Sequence, residues 1–182
     1  MKRMLTVILL GLLLLSGCKT IPSEPMNSYE KIVKSVHDRQ GNPVVVNADY
    51  LLIYYAADWC PYCVEYAEEL KEQYSLYKRM YGDNLEIIFA GHINDQSDEN
   101  LHAFLDQGSY SFPYIPYSLR ESSGVMELLG EHRFYIPGFL LLDREGIILS
   151  SSNGATKDEY LRDRPLYALQ TLLSIDCAVC TQ

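Results

Sequence analysis

The chain has 182 residues, 48% of them hydrophobic and 21% charged, and a formal net charge of −9. Such apolar content excludes a disordered chain, and the length suits one folded domain rather than two. The acidic balance argues against nucleic acid, whose phosphates reward basic surfaces, and no internal repeat is visible.

The N-terminus is a short positive region, Met1-Lys2-Arg3, then an apolar run from Leu5 to Leu15 broken only by Thr6 and Gly11. That run is too short to span a bilayer comfortably and has the length of a signal-peptide core. It ends in Leu15-Ser16-Gly17-Cys18, small residues before a cysteine, and so resembles the bacterial lipoprotein box. The resemblance implies removal of residues 1–17 and lipid on Cys18. Lys19 is not the aspartate associated with inner-membrane retention, so the expected place is the cell envelope, facing the periplasm or exterior, with the outer membrane favoured. Residues 18–28, with Pro22 and Pro25, read as a tether.

The segment 29–36 (YEKIVKSV) predicts a short alternating strand, 37–43 a turn, and Val44–Val46 a hairpin return. The near-continuous apolar run 50–57 suits a central strand buried on both faces. Beyond it Cys63, Ala67, Leu70, Tyr74, Tyr77 and Tyr81 step by helical spacing, and Gly82 offers a stop. Residues 84–91 predict a second buried strand and 98–106 a short helix. An extended piece at 112–119, a short helix in 122–133 and a hairpin over 138–152 turning at Arg144–Gly146 follow. One or two helices close the chain, the second near Pro165. This alternation implies an α/β domain over 29–173, a mixed sheet with helices on both faces, followed by a tail at 174–182.

Apart from Cys18 the cysteines form two Cys-x-x-Cys pairs, Cys60–Cys63 and Cys177–Cys180. Outside the cytosol a free thiol needs a reason. Cys60 lies where a buried strand ends and an amphipathic helix begins, with Pro61 at the first helical position. Unpaired N–H groups and the helix dipole favour negative charge there, making Cys60 a nucleophile, while Cys63 sits one turn inside. One thiolate attacks and the second resolves the mixed disulfide, which is the asymmetry redox chemistry requires. A structural zinc site normally needs two further ligands, and a two-residue staple stabilises little.

The stretch YYAADWCPYC, the long helix after it and the later YIPGFLLLDREG together resemble the thioredoxin superfamily, in its tryparedoxin and nucleoredoxin branch. The resemblance spans about residues 29–173 and implies a thioredoxin-like fold with a small helical insertion after the second buried strand. It implies that Pro137 is cis and packs beside Cys60, and that Ile136 offers its backbone to an extended client segment. Trp59, Pro61 and Tyr62 would flank the nucleophile on the client side, with a core tryptophan the alternative for Trp59. Thioredoxin itself carries a buried aspartate six residues before its first cysteine; here that position is Tyr54, which leaves proton transfer to water, Tyr54 or another group. His92, after the second buried strand, either flanks Cys60 and tunes its thiolate or is a surface-loop histidine. Tyr110, Phe112, Tyr114 and Tyr117 read as packing rather than a recognition rim.

The expected activity is thiol–disulfide exchange without a cofactor, reducing disulfide-containing client proteins, with a membrane thiol electron donor restoring the pair. The competing class is a binding lipoprotein whose cysteines hold a metal or are purely structural. For Cys177–Cys180 an inert disulfide, a second redox pair exchanging with Cys60–Cys63 and a metal site all remain open.

Overall fold

In the computed structural model residues 25–129, 135–152 and 164–179 are described, the last seven of these as backbone only. Strand β1 (Tyr50–Tyr55) is bulky, apolar and uncharged, so it takes the centre of the sheet, where both faces are buried. β2 (Leu85–Phe89) pairs with it in parallel, with Tyr50 opposite Leu85 and Tyr54 opposite Phe89. β3 (Gly138–Asp143) runs antiparallel on its other side, with Tyr55 opposite Gly138. β4 (Ile148–Ser151) completes the four-stranded order β2-β1-β3-β4, and Gly146 takes the positive φ of 79° that turns the β3–β4 hairpin.

The period of two along β1 sends Leu52 and Tyr54 to one face and Leu51, Ile53 and Tyr55 to the other. The first face is covered by α2 (Pro61–Tyr81), α3 (Asp98–Gln107) and α5 (Arg164–Val179) through Cys63, Leu70, Phe104 and Leu169. The opposite face packs Ile32 of α1 (Ser28–Val33) and the segment around α4 (Arg120–Ser123), with Val125 and Leu129. The Tyr55 hydroxyl donates to the Val125 carbonyl at 2.8 Å and ties that segment to the central strand. This is the mixed sheet with helices on both faces that alternation implies, with the helical insertion between β2 and β3.

Three local expectations are corrected. The segment 29–36 is not a strand: Asn27 and Glu30 form a capping box that starts α1, which buries Tyr29 and Ile32, and Val36 is buried beyond the helix end. Val44–Val46 forms no strand, although Val44 N–H bonds to the Val36 carbonyl at 2.9 Å and His37 bridges both Pro43 and Tyr114. In the described part of 122–133 the chain makes a 3₁₀ turn at Glu127–Leu129, while α4 lies earlier, before Gly124 takes a left-handed φ. The leader, most of the tether, His132, residues 153–163 and Cys180 lie outside the described residues.

Candidate active site

The site forms at the end of β1, where Tyr55 leads into Ala56-Ala57-Asp58-Trp59-Cys60 and α2 begins. Cys60 is the N-cap of α2, with extended backbone (φ −91°, ψ 108°) and no side-chain capping bond. Its carbonyl already accepts from the Cys63 and Val64 N–H groups at 3.0 and 3.2 Å, as a cap carbonyl does. The sulphur therefore stays available for chemistry at the positive end of a 21-residue helix.

Across from it the Ile136–Pro137 bond is cis, and the Cys60 thiol lies 3.6 Å from the Ile136 carbonyl, to which it donates. Pro137 is buried and Ile136 half-buried, bridging both cores, so these two residues are held against Cys60. No disulfide joins Cys60 and Cys63 in this structure. Cys60 is 4% exposed and Cys63 fully enclosed, so the two differ less in access than their spacing suggests. Burial, and the hydrogen bond with Cys60, push the Cys63 thiol up, while the Ala57 backbone opposes the shift. Cys63 thus keeps its proton until something draws it off.

Trp59, Tyr62 and Pro61 are exposed around this shielded pair. At 56% and 69% exposure, Trp59 and Tyr62 form an apolar rim rather than core. His92 packs edge-on against the Trp59 ring with centroids 5.0 Å apart and accepts from the Asn94 N–H through Nδ1. Burial lowers its pKa, and Arg120 adds to that while Asp95 opposes it, so at neutral pH it is an uncharged support for Trp59. Tyr54, by contrast, is wholly buried beneath the site, stacked on Phe139 at 4.8 Å.

Two features were not legible from residue order. Arg120 is buried and donates to the Ala90 and His92 carbonyls and to Asp95 Oδ2, at 2.5, 2.9 and 3.0 Å. It thereby fixes the loop that carries His92. Nothing in SLRES marks Arg120 as buried; only its distant partner Asp95 makes burial possible. Tyr110 is buried with its ring against Phe112 and Phe104, so of the aromatic cluster only Tyr117 reaches the surface substantially. Among the described residues no three His, Cys, Asp or Glu side chains converge to hold a metal ion. Cys177 lies in the last turn of α5.

A thioredoxin-like family model matches residues 47–148. Among curated proteins the chain is 26% identical over 151 residues to probable nucleoredoxin 3 of Oryza sativa subsp. japonica, covering 82% of this chain. It spans only 29% of that relative's length. Among solved structures, thioredoxin from Wuchereria bancrofti superposes with a TM-score of 0.54 at 20% identity, covering 77% of this chain and 94% of that one. Tryparedoxin I from Crithidia fasciculata gives 0.53 at 19% identity over 68% and 83% of the two chains. Tryparedoxin from Trypanosoma brucei gives 0.54 at 18% over 69% and 87%.

Proposed function

Since the chain belongs to the thioredoxin-like family, we propose that it is a thiol–disulfide oxidoreductase of the cell envelope that reduces disulfides in client proteins through Cys60 and Cys63. The observation that carries this reading is the Cys60 sulphur at a helix N-terminus, 3.6 Å from the Ile136 carbonyl, with a second thiol one turn behind it. The Cys60 thiolate attacks a client disulfide, forming a mixed disulfide and releasing one client thiolate. Cys63 then attacks Cys60, the second client thiolate leaves, and two electrons have passed from the dithiol to the client. The exposed rim of Trp59 and Tyr62 offers apolar contact to the client, and Ile136 offers backbone groups to an extended segment.

The leader and Cys18 support a lipid anchor, and the oxidising compartment requires a membrane thiol donor to reduce the pair again. Insulin reduction with dithiothreitol tests the reading. Wild-type protein should precipitate insulin chains faster than dithiothreitol alone, and Cys60→Ser should not. Equal rates for the two proteins would remove the assignment.

A further inference from the structure

An open groove beside the thiols plays no part in the chemistry of Cys60 and Cys63. Its volume is about 400 Å³, and Ile93, Tyr117, Met126, Arg120, Glu121 and Glu127 line it. It lies at the thiol end of the sheet. Ile93 follows His92, whose ring packs on Trp59. The Val125 carbonyl, next to Met126, accepts at 2.8 Å from the hydroxyl of Tyr55, the last residue of β1. Met126 and Ile136 pack against the same core cluster. The groove therefore adjoins the face that carries Trp59 and Ile136.

The walls are apolar and held in place. Ile93 and Tyr117 are exposed and Met126 is half-buried. The Tyr117 N–H donates to Asp98 Oδ1 at 2.7 Å, and its ring centroid lies 5.6 Å from the Arg120 guanidinium carbon. Arg120 in turn binds the Ala90 and His92 carbonyls just before Ile93. Side chains on a backbone fixed in this way lose less freedom when a partner covers them. A single exposed apolar residue needs no explanation, whereas a cluster walling a groove beside a nucleophile marks a contact surface. The charge of the groove is one-sided. Arg120 is the one cation among its lining residues, and it is buried and paired with Asp95 at 3.0 Å. Glu121 and Glu127 are exposed, and among the described residues neither has a cation within ion-pair distance. Two uncompensated carboxylates thus border an apolar trough.

We propose that this groove docks the client segment next to the disulfide and selects an extended segment in which apolar residues alternate with Lys or Arg. The proposal rests on the oxidoreductase reading of the Cys60–Cys63 pair and names the clients that the pair takes. Apolar side chains of the segment cover Ile93, Tyr117 and Met126, and its cationic groups reach Glu121 and Glu127, while the client disulfide stands at Cys60. Exposed ion pairs are each worth little, so the two carboxylates act mainly on encounter and on the choice of client. An acidic segment is repelled by the same two groups.

The test compares short peptides whose single terminal cysteine is joined by a disulfide to thionitrobenzoate. One alternates Leu with Lys, one Leu with Glu and one Ser with Lys. Each is mixed in excess with the reduced full chain carrying Cys18→Ser, Cys177→Ser and Cys180→Ser, and release of the coloured thiolate gives a second-order rate constant. At low salt the Leu-Lys peptide should react about tenfold faster than the Leu-Glu peptide, and about 0.5 M salt should collapse that ratio. Glu121→Gln together with Glu127→Gln should bring the ratio close to one, and Lys at both positions should invert it. Leu-Lys should also outrun Ser-Lys, and Ile93→Ser should shrink that difference. Equal rates for Leu-Lys and Leu-Glu in the parent protein overturn the proposal. So does a ratio carried unchanged into the double Gln variant, since the preference then belongs to the net charge of the chain and not to the groove. Insulin turnover by the same parent protein reads the oxidoreductase assignment separately. Turnover without a peptide preference removes the groove alone, whereas no turnover and unreactive peptides remove the assignment on which it rests.

Discussion

Cys60 and Cys63 are three residues apart, yet the fold gives them different surroundings. Cys60 caps a helix and touches a loop carbonyl; Cys63 is sealed in the core, where burial holds its proton. Cys63→Ser should therefore accumulate mixed disulfides with clients, while Cys60→Ser traps none. At mildly acidic pH, iodoacetamide should label Cys60 faster than Cys63 by about tenfold or more. Equal labelling of both thiols in peptide mass spectra would contradict the assignment. His92 gives a second prediction at this scale. Its folded pKa is lowered, chiefly by burial, so the unfolded chain binds more protons below the ordinary value of 6.5. Stability on its account is intact above that value and falls as pH drops below it. His92→Gln should flatten the Tm-against-pH curve between about pH 6.5 and 5. Parallel curves for wild type and variant would show that His92 does not contribute.

The loop between β2 and α3 is the element that carries His92, and a buried ion pair holds it. Arg120 and Asp95 have side chains 7% and 4% exposed, and removing one partner strands a charge in the core. Arg120→Met should cost about 3–5 kcal/mol in denaturant unfolding. Gly91 is bound to the same geometry: its φ is +73°, and an added Cβ would lie 2.2 Å from Arg120 Nη2 and 2.5 Å from Asp95 Oδ2. Gly91→Ala should thus lower the melting temperature and loosen the support of Trp59, visible as a red-shifted tryptophan emission. An unchanged spectrum and melt would separate the ion pair from the site. Elements with strong internal patterns were legible in sequence, while those fixed by distant partners were not. YLLIYY announces a strand buried on both faces, and the stripe from Cys63 to Tyr81 announces α2. In 29–36 the alternating pattern predicts a strand, but the Asn27–Glu30 box starts a helix that buries Tyr29 and Ile32, and that local cap decides the outcome. Likewise the positions of Cys60, Cys63 and Pro137 could be read from motif order, whereas the burial of Tyr110 depends on Phe104 and Phe112 packing around its ring.

At the scale of the whole molecule, the sheet puts the thiols at one end, where β1 finishes, β3 begins and α2 departs. Among the described residues no helix is long and apolar enough to cross a membrane. Attachment is proposed from the leader, whose charge, apolar run, small residues and Cys18 stand in register. A single acyl chain holds a protein only marginally, whereas several chains on one N-terminal cysteine hold it firmly. Residues 18–28 would then set the domain off the bilayer, leaving the Trp59 rim free to meet clients. On this view Cys18 matters for place and not for chemistry. Expressed in a bacterial host, Cys18→Ser should lose incorporation of labelled palmitate and leave the membrane pellet, or persist as a longer precursor. The purified variant should keep wild-type insulin reduction per mole, because Cys60, Cys63 and Ile136 make their contacts without it. A mature wild-type protein cleaved elsewhere and carrying an unmodified Cys18, as read by mass spectrometry, would sink the anchor and leave the thiol chemistry untouched.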